Sequence, residues 1–119
     1  MSVAILRFHA GDTAYAIAAG NVDAIGPARA GLPHLADVLG DTVAPSPETA
    51  RTLRVRAAGR AVDVVVDGPV ELVQLDVEHI TPCRLGAIAS STFLGFARDA
   101  DRVFVLLDAP SLVDKIASA

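Results

Sequence analysis

The chain has 119 residues, 52% of them apolar, and carries ten Lys and Arg against fourteen Asp and Glu for a formal net charge of −4. That length fits one domain spanning residues 1–119, and a mean hydropathy of +0.47 leaves ample material for a buried core. Aromatics are only 4%, with no Trp, so the acidic chain lacks both the basic field and the stacking rings that nucleic acid requires, and such a partner is excluded.

The opening MSVAILRFHAGD has no basic leader, and its apolar run is too short for a signal sequence or a bilayer span. The expectation is a cytoplasmic domain without membrane insertion. Val3 to Phe8 reads as a strand, and Gly11-Asp12 turns the chain into a second run, Ala14 to Ala18. Asn21 to Ile25 fits either a short helical turn or the start of another strand. Gly26 to Pro33 is small and breaker-rich and reads as a connection, Leu35 to Leu39 has helical spacing, and Asp41 to Thr49, with Pro45 and Pro47, reads as a loop.

The second half is more regular. Apolar and charged residues alternate from Leu53 to Ala57, as a half-buried strand requires. Ala58-Gly59-Arg60 turns it, and Ala61 to Asp67 returns with Val62, Val64 and Val66 on one face. Gly68-Pro69 interrupts before Val70 to Leu75, and a proline there removes a ladder donor, which predicts a bend or bulge. Phe93 to Ala97 and Arg102 to Leu107 make a closing pair of strands. Asp108 is placed to cap a final helix that holds Pro110 in its first turn and runs to about Ala117. The pattern predicts a mostly β architecture of small barrels or a sandwich, with one good helix at the end.

Residues that could carry chemistry are sparse. His9, His34 and His79 stand far apart, without metal-ligand spacing. Cys83, the single cysteine, follows Pro82 and sits beside Arg84, yet no base is positioned to activate it, so it reads as a small apolar filler. Ser90-Ser91-Thr92 lacks the glycines of a nucleophile elbow. Asp63 and Asp67 share a strand face that is ordinarily solvated. Gly59, Gly68 and Gly95 form no phosphate-cradling loop. These readings predict no enzyme, no cofactor and no metal.

Beyond these readings, the second half resembles the CheW-like family. Val64-Val65-Val66-Asp67-Gly68-Pro69-Val70-Glu71-Leu72-Val73 is similar to the family's VDxVxEV strand pair, and Leu75 to Pro82 to the proline-ended turn that follows it. Phe93-Leu94-Gly95-Phe96-Ala97 and Val103-Phe104-Val105-Leu106-Leu107-Asp108 look like its closing hairpin, and Ser111-Leu112-Val113 like the start of its terminal helix. In the first half, Phe8, Tyr15-Ala16-Ile17 and Val22-Asp23-Ala24-Ile25 resemble F…YAI…VxxI. Leu32-Pro33-His34-Leu35-Ala36-Asp37-Val38-Leu39-Gly40 resembles vPvxDLxxxLG. The likeness covers nearly the whole chain. No one motif is diagnostic, but their order and spacing together are specific.

The resemblance implies two small five-stranded, SH3-like β-barrels and a short C-terminal helix. The family's hairpin between the VxxI and LPHLADVLG elements is replaced here by Gly26 to Gly31, so the first barrel should be reduced, with an edge to be covered or paired. It further implies a non-catalytic adaptor of a bacterial chemosensory array. The groove between the barrels would take the cytoplasmic tip of a methyl-accepting chemoreceptor, or the module would join another CheW-like protein. Docking on the regulatory domain of a CheA-type histidine kinase, which uses the first barrel, would be impaired. Val22, Ile25, Gly68, Val70 and Val73 would sit near that groove, where Gly68 would let a partner backbone approach. The same valines also read as plain core. Two other readings stay open: a full adaptor completed by a partner strand or by dimerisation, and a small enzyme using Cys83 and a histidine.

Overall fold

The computed structural model describes residues 2–40, 48–82, 93–99 and 102–118. Strands β1 (Ser2–Ala10), β2 (Thr13–Ala18) and β3 (Val22–Pro27) open the chain, followed by the one-turn helix α1 (Leu35–Val38). Strands β4 (Ala50–Ala57), β5 (Arg60–Asp76), β6 (Ile80–Pro82), β7 (Phe93–Asp99) and β8 (Arg102–Leu107) precede the closing helix α2 (Ala109–Ala117). The strands form one sheet in the order β3-β4-β5-β1-β2-β8-β7-β6. All neighbouring pairs are antiparallel except β2 with β8.

The period-2 alternation of the central strands feeds two cores on opposite faces. Leu6 and Phe8 of β1, Tyr15 and Ile17 of β2 and Val64 and Val66 of β5 point into the larger core, which α2 closes with Leu112 and Val113. Their neighbours Ile5 and Ala16, with Leu75, Ala97, Phe104 and Leu106, form the smaller core on the other side. The two β subdomains expected from the sequence are thus two halves of a continuous sheet, sharing strands rather than closing as separate barrels. In the first half β3 is a terminal strand, paired with β4 alone among the described residues.

Several local expectations hold. The β4–β5 hairpin turns on Ala58 and Gly59, both at positive φ (53° and 78°), the handedness that a two-residue hairpin needs. Of the two alternatives for Asn21 to Ile25 the strand holds: β3 begins at Val22, and a 3₁₀ turn over Ala19–Asn21 precedes it. Two boundaries differ. β3 takes in Gly26 and Pro27, which read as connection, and Ile80–Pro82 pairs with β7 where only a turn was expected.

Val70 to Leu75 is not a separate strand. β5 runs through for 17 residues, pairing with β4 up to Asp67 and with β1 from Glu71 onward. The predicted irregularity lies inside it: Arg7 pairs with Glu71 and His9 with Asp67, so Gly68, Pro69 and Val70 together oppose Phe8. The Gly68–Pro69 peptide is cis.

Candidate functional site

The bulge of β5 is where the two halves meet, and it borders two surface grooves. One groove of about 350 Å³ is lined by Ile25, Glu48, Thr49, Arg51, Gly68 and Val70. The other, about 500 Å³, is lined by Arg7, His9, Glu71, Arg102 and Phe104. Pro69 forms a wall of both.

The smaller groove brings together Ile25, Gly68 and Val70, three residues singled out from the sequence. Ile25 is 49% exposed on β3, whereas Val70 is half-buried against the larger core. Val22 and Val73 are not in it. Val22 packs toward the larger core at the far end of β3, and Val73, opposite Ile5, packs toward the smaller one. For these two the structural role of core filling applies.

Gly68 is needed, but the approaching backbone belongs to the chain itself. Its N–H donates to the Thr49 carbonyl at 2.9 Å. A Cβ added at Gly68 would lie 2.6 Å from that oxygen, well inside contact distance. The glycine therefore fastens the segment before β4 to the bulge and shapes one wall of the groove.

The reading of Asp63 and Asp67 as a solvated pair is corrected. Asp67 is only 4% exposed. Its Oδ2 accepts from the Gly11 N–H at 3.1 Å, and its Oδ1 lies 3.1 Å from His34 Nε2. His34, read as one histidine without a role, is buried as the N-cap of α1, and its Nδ1 accepts from the Ala36 N–H at 3.1 Å. With Nδ1 accepting, the ring proton sits on Nε2 and is donated to Asp67. Both ring nitrogens are thus engaged, and neither is positioned to act as a base. The preceding segment docks on the sheet as well, through the Pro33 carbonyl and the Val65 N–H at 2.9 Å. No periodicity in the sequence marks the His34–Asp67 contact, because its partners stand 33 residues apart.

Asp63 does lie toward solvent, and it holds two arginines. Arg54 contacts it at 3.0 Å and Arg29 at 2.5 Å. The hydrogen bond from Arg54 comes first in holding the Asp63 carboxyl below its usual range, with Arg29 adding to it, and the same bond raises Arg54. A depressed carboxyl pKa adds stability that is present above the unfolded value near 3.9 and is lost as pH falls through the folded value. An Asp63→Asn variant should therefore show a flatter acid limb in urea titrations below about pH 4, with a loss at neutral pH under roughly 1 kcal/mol because the site is screened by water.

In the larger groove Arg7 was not foreseen. Its guanidinium contacts Glu71 at 2.6 Å and Asp99 at 3.2 Å and lies over the Phe104 ring, 5.9 Å from the centroid. A single arginine in the apolar strand Val3 to Phe8 was the signal available. Cys83 and Ser90-Ser91-Thr92 lie outside the described residues. Among the described residues, no group of His, Cys, Asp and Glu is arranged to hold a metal, and no helix is long and apolar enough to cross a membrane.

The fold as a whole matches a known architecture. The crystal structure of the scaffolding protein TtCheW from Thermoanaerobacter tengcongensis superposes with a TM-score of 0.72, over 91% of this chain and 90% of that one, at 17% identity. The fold is CheW-like. No protein-family model matches the chain, and no curated protein matches it by sequence. At that identity the likeness speaks for the fold, which agrees with the motif order read from the sequence.

Proposed function

We propose that the chain is a non-catalytic adaptor of a bacterial chemosensory array, working in the cytoplasm and binding a chemoreceptor tip through the groove of Ile25, Gly68 and Val70. The observation that carries this reading is the convergence of these residues at the junction of the two halves in a CheW-like fold. A half-exposed isoleucine beside a half-buried valine, with Glu48 and Arg51 at the margin, suits the apolar face of a helix flanked by charge. Docking on a CheA-type kinase is impaired in this reading, because the first half lacks the hairpin beyond β3. In the second reading a partner strand or a second CheW-like domain completes that half, and the terminal position of β3 favours it.

The test is a binding assay of the purified chain against a receptor signalling-tip fragment and, in parallel, against the kinase regulatory domain. Receptor binding without kinase binding is the expected result. Tight kinase binding would favour the completed adaptor, and binding to neither by a folded protein would overturn both. Ile25→Asp should weaken receptor binding at least tenfold, about 1.4 kcal/mol, with little change in thermal stability because the side chain is half exposed. Unchanged affinity would remove Ile25 from the site.

A further inference from the structure

The open side of β3 carries a specific chemistry. Asp23, Ala24, Ile25 and Pro27 are exposed, as is the connection over residues 28–31, so among the described residues nothing covers this edge. Such an edge offers backbone donors and acceptors to any extended segment that can lie beside it.

The face behind the edge is basic. Ala24 pairs with Arg54 and Arg54 with Asp63, so these side chains lie on the side of the sheet away from the larger core. Arg54 and Arg56 point out from β4, and Arg29 reaches in from the following connection. Arg29 and Arg54 share the one carboxylate of Asp63, and Arg56 pairs with Asp23. Three guanidinium groups thus face two carboxylates, a local positive surplus on a chain of net charge −4. A groove of about 230 Å³ lined by Ile25, Pro27, Arg29, Thr52, Arg54 and Asp63 runs alongside.

We propose that β3 accepts an acidic, extended segment of a partner protein, which adds to the sheet as a further strand. Because side chains alternate along a strand, acidic residues at every second position would lie beside Arg29 and Arg54, and the intervening apolar residues would lie on the side of Ile25. A second copy of this chain is a poorer occupant. Pairing β3 with itself would bring the arginines of both copies onto one face, and like charges side by side oppose association. The inference deepens the partner-strand reading by naming the chemistry of the strand. Its charged contacts, Arg29 and Arg54, are not part of the receptor groove, whereas Ile25 borders both, so the two are told apart through the arginines.

The test uses a fluorescein-labelled peptide, Val-Glu-Val-Glu-Val-Glu-Val, titrated with the full chain by anisotropy and followed by amide NMR. Binding with shifts centred on residues 22–27 is expected. Affinity should fall at least tenfold for the lysine analogue, for a backbone N-methylated peptide, and for the Arg29→Glu/Arg54→Glu variant, and it should fall with rising salt. Receptor-tip binding by that variant should be unchanged, which separates this edge from the groove around Gly68. Equal binding of the lysine analogue would overturn the acidic assignment, and binding unaffected by N-methylation would overturn strand addition. No binding of the glutamate peptide, or dimerisation protecting residues 22–27 from amide exchange, would overturn the proposal as a whole.

Discussion

Asp67→Ala is expected to lower stability by about 2–5 kcal/mol, a large share of the 5–15 kcal/mol that holds a small domain together. The residue is buried, and its carboxylate receives both the Gly11 N–H in the β1–β2 turn and the His34 Nε2–H at the start of α1. Alanine leaves these donors inside the protein without that acceptor, and each orphaned buried group costs about 1–3 kcal/mol. His34 would also lose the contact that orients its ring for capping Ala36. Urea unfolding of the variant should give a lower midpoint with an unchanged slope. A loss no larger than that of Asp63→Asn would mean that the carboxylate is dispensable.

Gly68→Ala comes second. The added methyl would stand 2.6 Å from the Thr49 carbonyl oxygen, and the obstacle is backbone rather than a side chain free to swing aside. Relief requires moving the segment before β4 away from the bulge, at the expense of the Gly68 N–H to Thr49 bond. Forced overpacking of this kind costs about 1–3 kcal/mol, which for a domain of this size lowers Tm by roughly 4–15 °C. Thermal unfolding followed by circular dichroism reads this directly. Receptor-tip binding should weaken in the same variant, since the displaced segment carries the groove wall formed by Glu48 and Thr49. A melting point within a degree of the parent would show that the segment yields freely.

Much of the fold was legible because it rests on local rules. Val62, Val64 and Val66 repeat every second residue, and the structure places all three on the larger core. Asp108 and Pro110 mark the start of α2 where it is found, although the Asp108 side chain accepts from the Ser111 hydroxyl and makes no capping bond to the backbone. Pro69 signalled an interrupted ladder, and the bulge is there, although the strand continues through it. What local rules missed depends on distant residues. Asp67 obeys the strand alternation and lies on the face opposite Val66. Val65 and Asp67 are both buried on that face, where the His34 segment, bridged to Val65, brings its ring onto Asp67 from 33 residues away. Arg7 is similar, since its partners Glu71 and Asp99 come from different strands. In the candidate site, Ile25 and Val70 could be proposed from the family-like pattern. The close approach at Gly68 was foreseen as well, but the sequence could not reveal that Thr49 already fills it.

The continuity of β5 has a further consequence. Its first eight residues complete the ladder with β4 and its last six the ladder with β1, so one rod of backbone belongs to both halves. Neither half can be excised with a full set of strands. A ligand seated at Gly68 to Val70 would touch this strand between its two ladders, at the one place where both halves share backbone.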